Sequence, residues 1–255
     1  MPFLPARWSW PMYSYKTCGR ILSGSGASLM AYCSIIFAMD KLSAFLTGHK
    51  VLETVKSKYN GEVVVLYDLA WGTHIKAGGL TQSGGVVEKV WRTALQKIRS
   101  TKHEIRNVLI LGLGGGSIAK IVREFWPVSK ITGVDIDEEM VRLGKKYMKL
   151  DKWDVDVHIG DGLAFCEKGV QDGDIYDLIC IDLYHGQEYP KQFEKIEFIK
   201  LTKRLSNEGG TVIYNRLYYD EKRALAHKFE EMLDKEFEKV DVVFPEANVM
   251  FLCSN

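Results

Sequence analysis

Four successive apolar runs in this sequence each end in residues fit for chemistry: Gly112-Leu-Gly-Gly-Gly116, Asp135, Asp161-Gly162 and Asp182. The last is the most abrupt. In "LICIDLYHGQEYP" (178–190) a run of strand length delivers one carboxylate into a polar loop. A carboxylate in such a place can accept hydrogen bonds from hydroxyls or amines, or take a proton from a nucleophile. Glycines let the backbone pass close under a bulky ligand, and a helix opening at Ser117 is expected to offer amide N–H groups to it. Asp135 follows the glycine loop by about twenty residues, the spacing at which a carboxylate meets the two hydroxyls of a ribose. Asp161 can accept from an exocyclic adenine amine, and Gly162 lets the chain turn. Asp137 is expected to cap the next helix instead. His185 is read as an exposed loop histidine, with a share in proton handling as the alternative.

These residues need a scaffold that gathers strand ends. From residue 107 the chain alternates strand-length apolar runs with helical patterns: "NVLILGLG", "SIAKIVREFW", "KITGVDID", "EEMVRLGKKYMKL", "VDVHIGDG", "YDLICID", "FEKIEFIKLTKRL", "GTVIYN", then a helix over 221–235 and a closing β pair. Such alternation predicts a mainly parallel sheet covered on both faces, with an antiparallel edge from the closing pair. Ligands of such sheets sit outside the carboxyl ends of the strands. Upstream, "GEVVVLYDLA" and "WGTHIKAGGL" read as a small β-hairpin region, and 86–100 as a helix preceded by Gln82, Ser83 and a Gly pair.

Composition narrows the function classes. The 255 residues carry a net charge of +1, so nothing global attracts nucleic acid or an anionic membrane. Five scattered cysteines, odd in number and without a C-x-x-C pair, are expected as reduced thiols of a cytoplasmic protein, with Cys180 in the core. The histidines at 49, 74, 103, 158 and 227 have no metal-ligand spacing, so no metal is expected. Residues 27–39 are too short an apolar stretch to cross a bilayer as a helix. Residues 1–40 are taken as a poorly ordered or spurious extension, 41–84 as a small N-terminal β region, and 85–255 as a nucleoside-binding Rossmann-like transferase domain.

The assembled motifs resemble those of the spermidine synthase-like family, proteins of the class I methyltransferase fold that use S-adenosylmethionine-type donors. "VLILGLGGGS" is similar to that family's "VLVIGGGDGG", "GVDIDEEMV" to "VEIDEEVV", "VDVHIGDGLAF" to "VEVHIGDGFEF" and "YDLICID" to "YDVIIVD". "GGLTQSG" resembles "LDGVIQLTE", which places Gln82 on the family's glutamine. The resemblance implies a donor site built from Gln82, Gly112, Gly114, Gly116, Asp135, Asp161 and Gly162, a catalytic Asp182, and a homodimer. It implies S-adenosylmethionine or its decarboxylated form as cofactor, and a small-molecule acceptor such as an amine.

The departures rank the reactions. The acid inside the family's glycine loop aligns with Gly115, the second acid of its "DSSDPxGPA" is missing after Asp182, and its tyrosine-histidine-glutamate signature is absent from "GGVVEKVWRTAL". A polycationic amine needs several carboxylates. On this count methyl transfer ranks first and aminopropyl transfer, making spermidine from putrescine, second. A non-catalytic nucleoside-binding protein ranks third and a dinucleotide oxidoreductase fourth. Gly115→Asp is expected to restore binding of a cationic donor tail.

Overall fold

The computed structural model describes residues 48–101 and 104–254. The expectations for residues 1–40 lie outside them. Gly48–Asn255 forms one compact unit that holds two sheets.

The first sheet is antiparallel, in the order β1 (His49–Ser57), β2 (Gly61–Asp68), β3 (Gly72–Ala77), β4 (Leu80–Gly84). It replaces the two-run hairpin read from the sequence. Its first strand escapes a period-2 reading because the register shifts between Val51 and Glu53. The inner side chains Val63, Val65, Ile75 and Ala77 pack on Met140 and Leu143 of the helix Glu138–Met148. Two polar clusters fasten the same contact. Glu53 accepts from Lys146, Arg142 and Tyr147, and these partners, Lys146 foremost, hold its carboxyl down to about 2. Asp137 caps the helix through Glu139 N–H at 3.1 Å and accepts from Asn60 Nδ2 at 2.6 Å and from the Ser57 hydroxyl.

The second sheet has seven strands: β5 (Asn107–Leu111), β6 (Lys130–Asp135), β7 (Val155–Ile159), β8 (Tyr176–Ile181), β9 (Ser206–Leu217), β10 (Lys239–Val243) and β11 (Asn248–Ser254), in the order β10-β11-β9-β8-β5-β6-β7. β7, β6, β5, β8 and β9 run parallel, while β11 is antiparallel to both of its neighbours. This is the α/β sheet with an antiparallel edge that the apolar runs predict.

Alternate residues of the central strands feed two cores. Val108, Ile110, Leu178, Cys180, Ile213 and Met250 face α1 (Gly85–Thr101) and α2 (Ser117–Phe125). Leu109, Leu111, Ile179, Ile181, Tyr214 and Phe251 face α4 (Gly162–Asp172), α5 (Ile196–Leu205) and α6 (Lys222–Glu236). The helix Glu138–Met148 is α3. Sheet order reverses between β5 and β8, so the carboxyl ends of these two strands open the crevice in which such folds bind ligands.

Candidate active site

The crevice is a pocket closed from one side by the four-stranded sheet. Its lining includes Gln82, Gly112, Gly114, Asp135, Asp161, Gly162 and Asp182, seven of the eight residues singled out from the sequence; Gly116 lies behind them at the start of α2.

The glycine loop owes its course to contacts that no side chain permits. Gly112 has φ +85°, and a β-carbon there would stand 2.1 Å from the Asp182 carbonyl oxygen. The loop's amides are spent inside the protein. Gly112 and Leu113 donate to Val134 O (2.9 and 3.1 Å) and Gly114 to Asp135 Oδ2 (2.6 Å). Gly115 donates to Ser83 Oγ (2.7 Å) and Gly116 to Leu113 O (2.9 Å). Gly115 does not line the pocket. A β-carbon there would meet Met148 Sδ at 2.5 Å, Ser83 Cβ at 2.9 Å and Ile75 Cδ1 at 3.0 Å. The expectation that Gly115→Asp would add a pocket carboxylate is therefore corrected: the side chain would press into the contact between the two sheets' layers.

Asp135 ends β6 and is held from both sides, Oδ2 by Gly114 N–H and Oδ1 by Asp137 N–H at 2.8 Å. Burial raises its carboxyl to about 6, against the pull of those two backbone donors. Asp161 is the N-cap of α4. Oδ1 accepts from Leu163 and Ala164 N–H (2.9 and 3.0 Å), and Oδ2 from Gln192 Nε2 (2.9 Å).

Asp182 follows β8 directly. Trp91 Nε1–H donates to its Oδ2 at 2.7 Å and Asn215 Nδ2 to its Oδ1 at 2.8 Å. Burial raises its carboxyl, and the hydrogen bonds from Asn215 and Trp91 oppose that rise. No ion pair reaches Asp182, Asp135 or Asp161 among the described residues. Among the described residues no lysine or arginine lines the pocket, whose acids are these three and Glu246 at its exposed rim, which pairs with Lys89.

The loop after Asp182 is pinned to the four-stranded sheet. Gln82 Nε2 donates to Gly186 O (3.0 Å), Gln187 Nε2 to Gly78 O (3.1 Å), and Gly186 N–H to Asn60 Oδ1 (3.3 Å). This places His185 on the pocket wall rather than in an exposed loop. The Tyr184 hydroxyl accepts from Leu217 N–H at 2.8 Å, while Tyr189 packs under the Arg216 guanidinium at 4.0 Å.

Sequence reasoning missed Trp91, Asn215, Gln192, Glu246 and Asn248. Asn215 was within reach, since it lies on the fifth parallel strand near its carboxyl end and the strand-end rule stopped at four. Trp91 gave no signal. Its ring belongs to an apolar helix face, and its one polar atom meets a partner 91 residues away.

Sheet order and connection together define a class I methyltransferase-like fold. A family model described as the spermine/spermidine synthase domain matches residues 91–251, and the chain belongs to that family. It is 29% identical over 177 residues to a polyamine aminopropyltransferase of Prochlorococcus marinus (strain AS9601), covering 67% of this chain and 62% of the relative. It is 32% identical over 193 residues to a probable polyamine aminopropyl transferase of Bifidobacterium longum, covering 71% and 42%. A polyamine aminopropyltransferase of Vibrio vulnificus matches at 30% over 109 residues, 42% of this chain and 36% of the relative. The chain thus spans from about one third to just under two thirds of these relatives' lengths.

Among solved structures, a probable spermidine synthase from Corynebacterium glutamicum shares the fold, with TM-score 0.67 and 19% identity over 79% of both chains. Human methyltransferase-like protein 13 in complex with SAH follows at TM-score 0.55 and 23% identity, over 66% of this chain and 81% of that one.

Proposed function

We infer that this chain transfers an aminopropyl group from decarboxylated S-adenosylmethionine to an aliphatic amine of the polyamine class. The observation that carries the reading is the charge of the pocket: among the described residues its lining holds carboxylates at 135, 161 and 182 with no ion-pair partner, Glu246 paired with Lys89 at the rim, and no lysine or arginine. The glycine-loop amides are spent as well. S-adenosylmethionine brings a carboxylate that would find neither a cation nor a loop N–H group here. The decarboxylated donor has only a sulfonium and an ammonium, which suit a pocket whose unpaired charges are carboxylates. This reverses the ranking read from the sequence. That ranking treated Gly115 as a lost pocket acid and overlooked Glu246, and the curated relatives are named as aminopropyltransferases rather than methyltransferases.

In this reading Asp135 accepts from the ribose hydroxyls through the lone pair left on each oxygen, and Asp161 faces the adenine through Oδ2. Gln82 and Gly162 complete the wall, Gly112 and Gly114 shape its floor, and Gly116 behind them opens α2. The acceptor nitrogen attacks the propyl carbon bound to sulfur. A C–N bond forms, the C–S bond breaks with its electron pair returning to sulfur, and methylthioadenosine leaves. The proton lost by the nitrogen passes to Asp182. With carbon already activated by positive sulfur, alignment and one base suffice. A homodimer, a cytoplasmic location and a domain division near residue 84 remain part of the proposal. No helix among the described residues is long and apolar enough to cross a membrane.

Calorimetry on the full chain tests the donor. Decarboxylated S-adenosylmethionine is expected to bind at least about tenfold more tightly than S-adenosylmethionine, one unmatched charge being worth 1.4 kcal/mol or more. Equal or reversed affinities overturn the reading.

The same titration has a pH signature. Asp135 free of ligand titrates near 6, and a bound cation lowers that value, so protonation competes with binding. Donor affinity is expected to rise by up to about tenfold per pH unit between pH 5 and 6 and to level off above 7. Affinity flat over pH 5–7 would remove Asp135 from the site.

A further inference from the structure

The two oxygens of Asp182 are each met by a different neutral N–H donor from a different element. Trp91 on α1 takes Oδ2 and Asn215 on β9 takes Oδ1. The indole nitrogen has no acceptor capacity, so Trp91 can only donate. The amide of Asn215 could in principle present either end. Its Oδ1 is occupied by Asn248 Nδ2 at 2.8 Å, which turns Nδ2 toward Asp182. Trp91 and Asn215 are both buried, and neither can relay a proton away.

We propose that Trp91 and Asn215 are positioning residues that clamp the Asp182 carboxylate, one donor to each oxygen, with Asn248 fixing the orientation of Asn215, so that Asp182 meets the acceptor amine as an ionised proton acceptor. The proposal rests on the proton-accepting role given to Asp182 above. Both donors favour the charged form, and both leave one lone pair free on the oxygen they bind. The clamp therefore does what a neighbouring arginine would do for ionisation without adding the positive charge that would repel a cationic substrate.

Other groups face the same carboxylate. Asp135 comes from β6, Cys180 lies on β8 itself, and Tyr184 and Tyr189 stand on the loop beyond. Asp161, His185 and Glu246 share the pocket. Burial keeps the cysteine and both tyrosines protonated across the working range. Asp135 titrates within it, so activity alone cannot separate the two aspartates. The indole proton of Trp91 can, because it lies on the bond in question.

The test is a nitrogen-15 NMR titration of the full chain from pH 4.5 to 8, following the assigned Trp91 indole resonance. It is paired with pH profiles of turnover for Trp91→Phe, Asn215→Ala and Asn248→Ala. The indole signal is expected to move as Asp182 ionises and to stay fixed in Asp182→Asn. Loss of one donor is expected to raise the acid limb of the profile by about one to two pH units, with the donor dissociation constant unchanged. Asn248→Ala should give a smaller shift in the same direction.

A uniform loss of activity with the acid limb unmoved is what mere packing would give, and it overturns the clamp. So does an indole signal that titrates identically in Asp182→Asn. Should Trp91→Phe fail to fold, the wild-type indole titration and the Asn215 variant decide. Full turnover in Asp182→Asn overturns the base reading and the clamp's catalytic part with it. Turnover lost in Asp182→Asn beside unmoved clamp variants overturns the clamp alone.

Discussion

Asp182→Asn is expected to lower turnover by about 10²- to 10⁴-fold, the span of a lost acid–base group, while the donor dissociation constant stays within about twofold. The substitution keeps the shape of the side chain and removes its ability to take a proton. It also sets an amide against the N–H groups of Trp91 and Asn215, only one of which it can still satisfy through its single oxygen. The loss should therefore fall on the chemical step. Single-turnover kinetics with saturating donor, beside calorimetry, separate the two quantities. Equal losses in donor binding and turnover would assign Asp182 to holding the donor instead.

Gly112→Ala is expected to destabilise the fold by about 3–5 kcal/mol, adding the cost of a side chain at positive φ to that of overpacking. The clash is with backbone, 2.1 Å from the Asp182 carbonyl oxygen, so no rotamer change relieves it. Because β5 and β8 are adjacent, parting them at this point also displaces Asp182. Urea unfolding of the variant measures the loss. A change under about 1 kcal/mol would mean that the loop takes another course.

The sheet was legible because its central strands are buried on both faces and read as uninterrupted apolar runs. Two elements were not. β1 has mostly exposed side chains and an irregular register, so neither composition nor period marks it. α4 begins at Gly162, carries Gly169 inside and is capped by Gly173, and its apolar face is short. Its propensity argues against the helix that packing on β6 and α5 imposes. α5 starts at Ile196, three residues later than its pattern suggests, because Lys191–Glu194 form a 3₁₀ turn.

For the site, the strand ends were visible as a series: a structural cap explains any single acid, as at Asp161, but glycines or acids at four consecutive strand ends are less easily accidental. What surrounds them was not. The partners of Asp182 lie 91 and 33 residues away and are chosen by the packing of α1 and β9 against β8. The direction of a β-carbon at Gly115, away from the pocket, is likewise a fact of three dimensions. A motif alignment treats that position as if it faced the ligand.

The central claim, aminopropyl rather than methyl transfer, is tested most directly by identifying products. The full chain is incubated with putrescine and either decarboxylated S-adenosylmethionine or S-adenosylmethionine, and products are resolved by mass spectrometry. The account predicts methylthioadenosine and an aminopropylated amine in equal amounts from the first donor and no transfer from the second. S-adenosylhomocysteine with a methylated acceptor, or no methylthioadenosine from the decarboxylated donor, would contradict it.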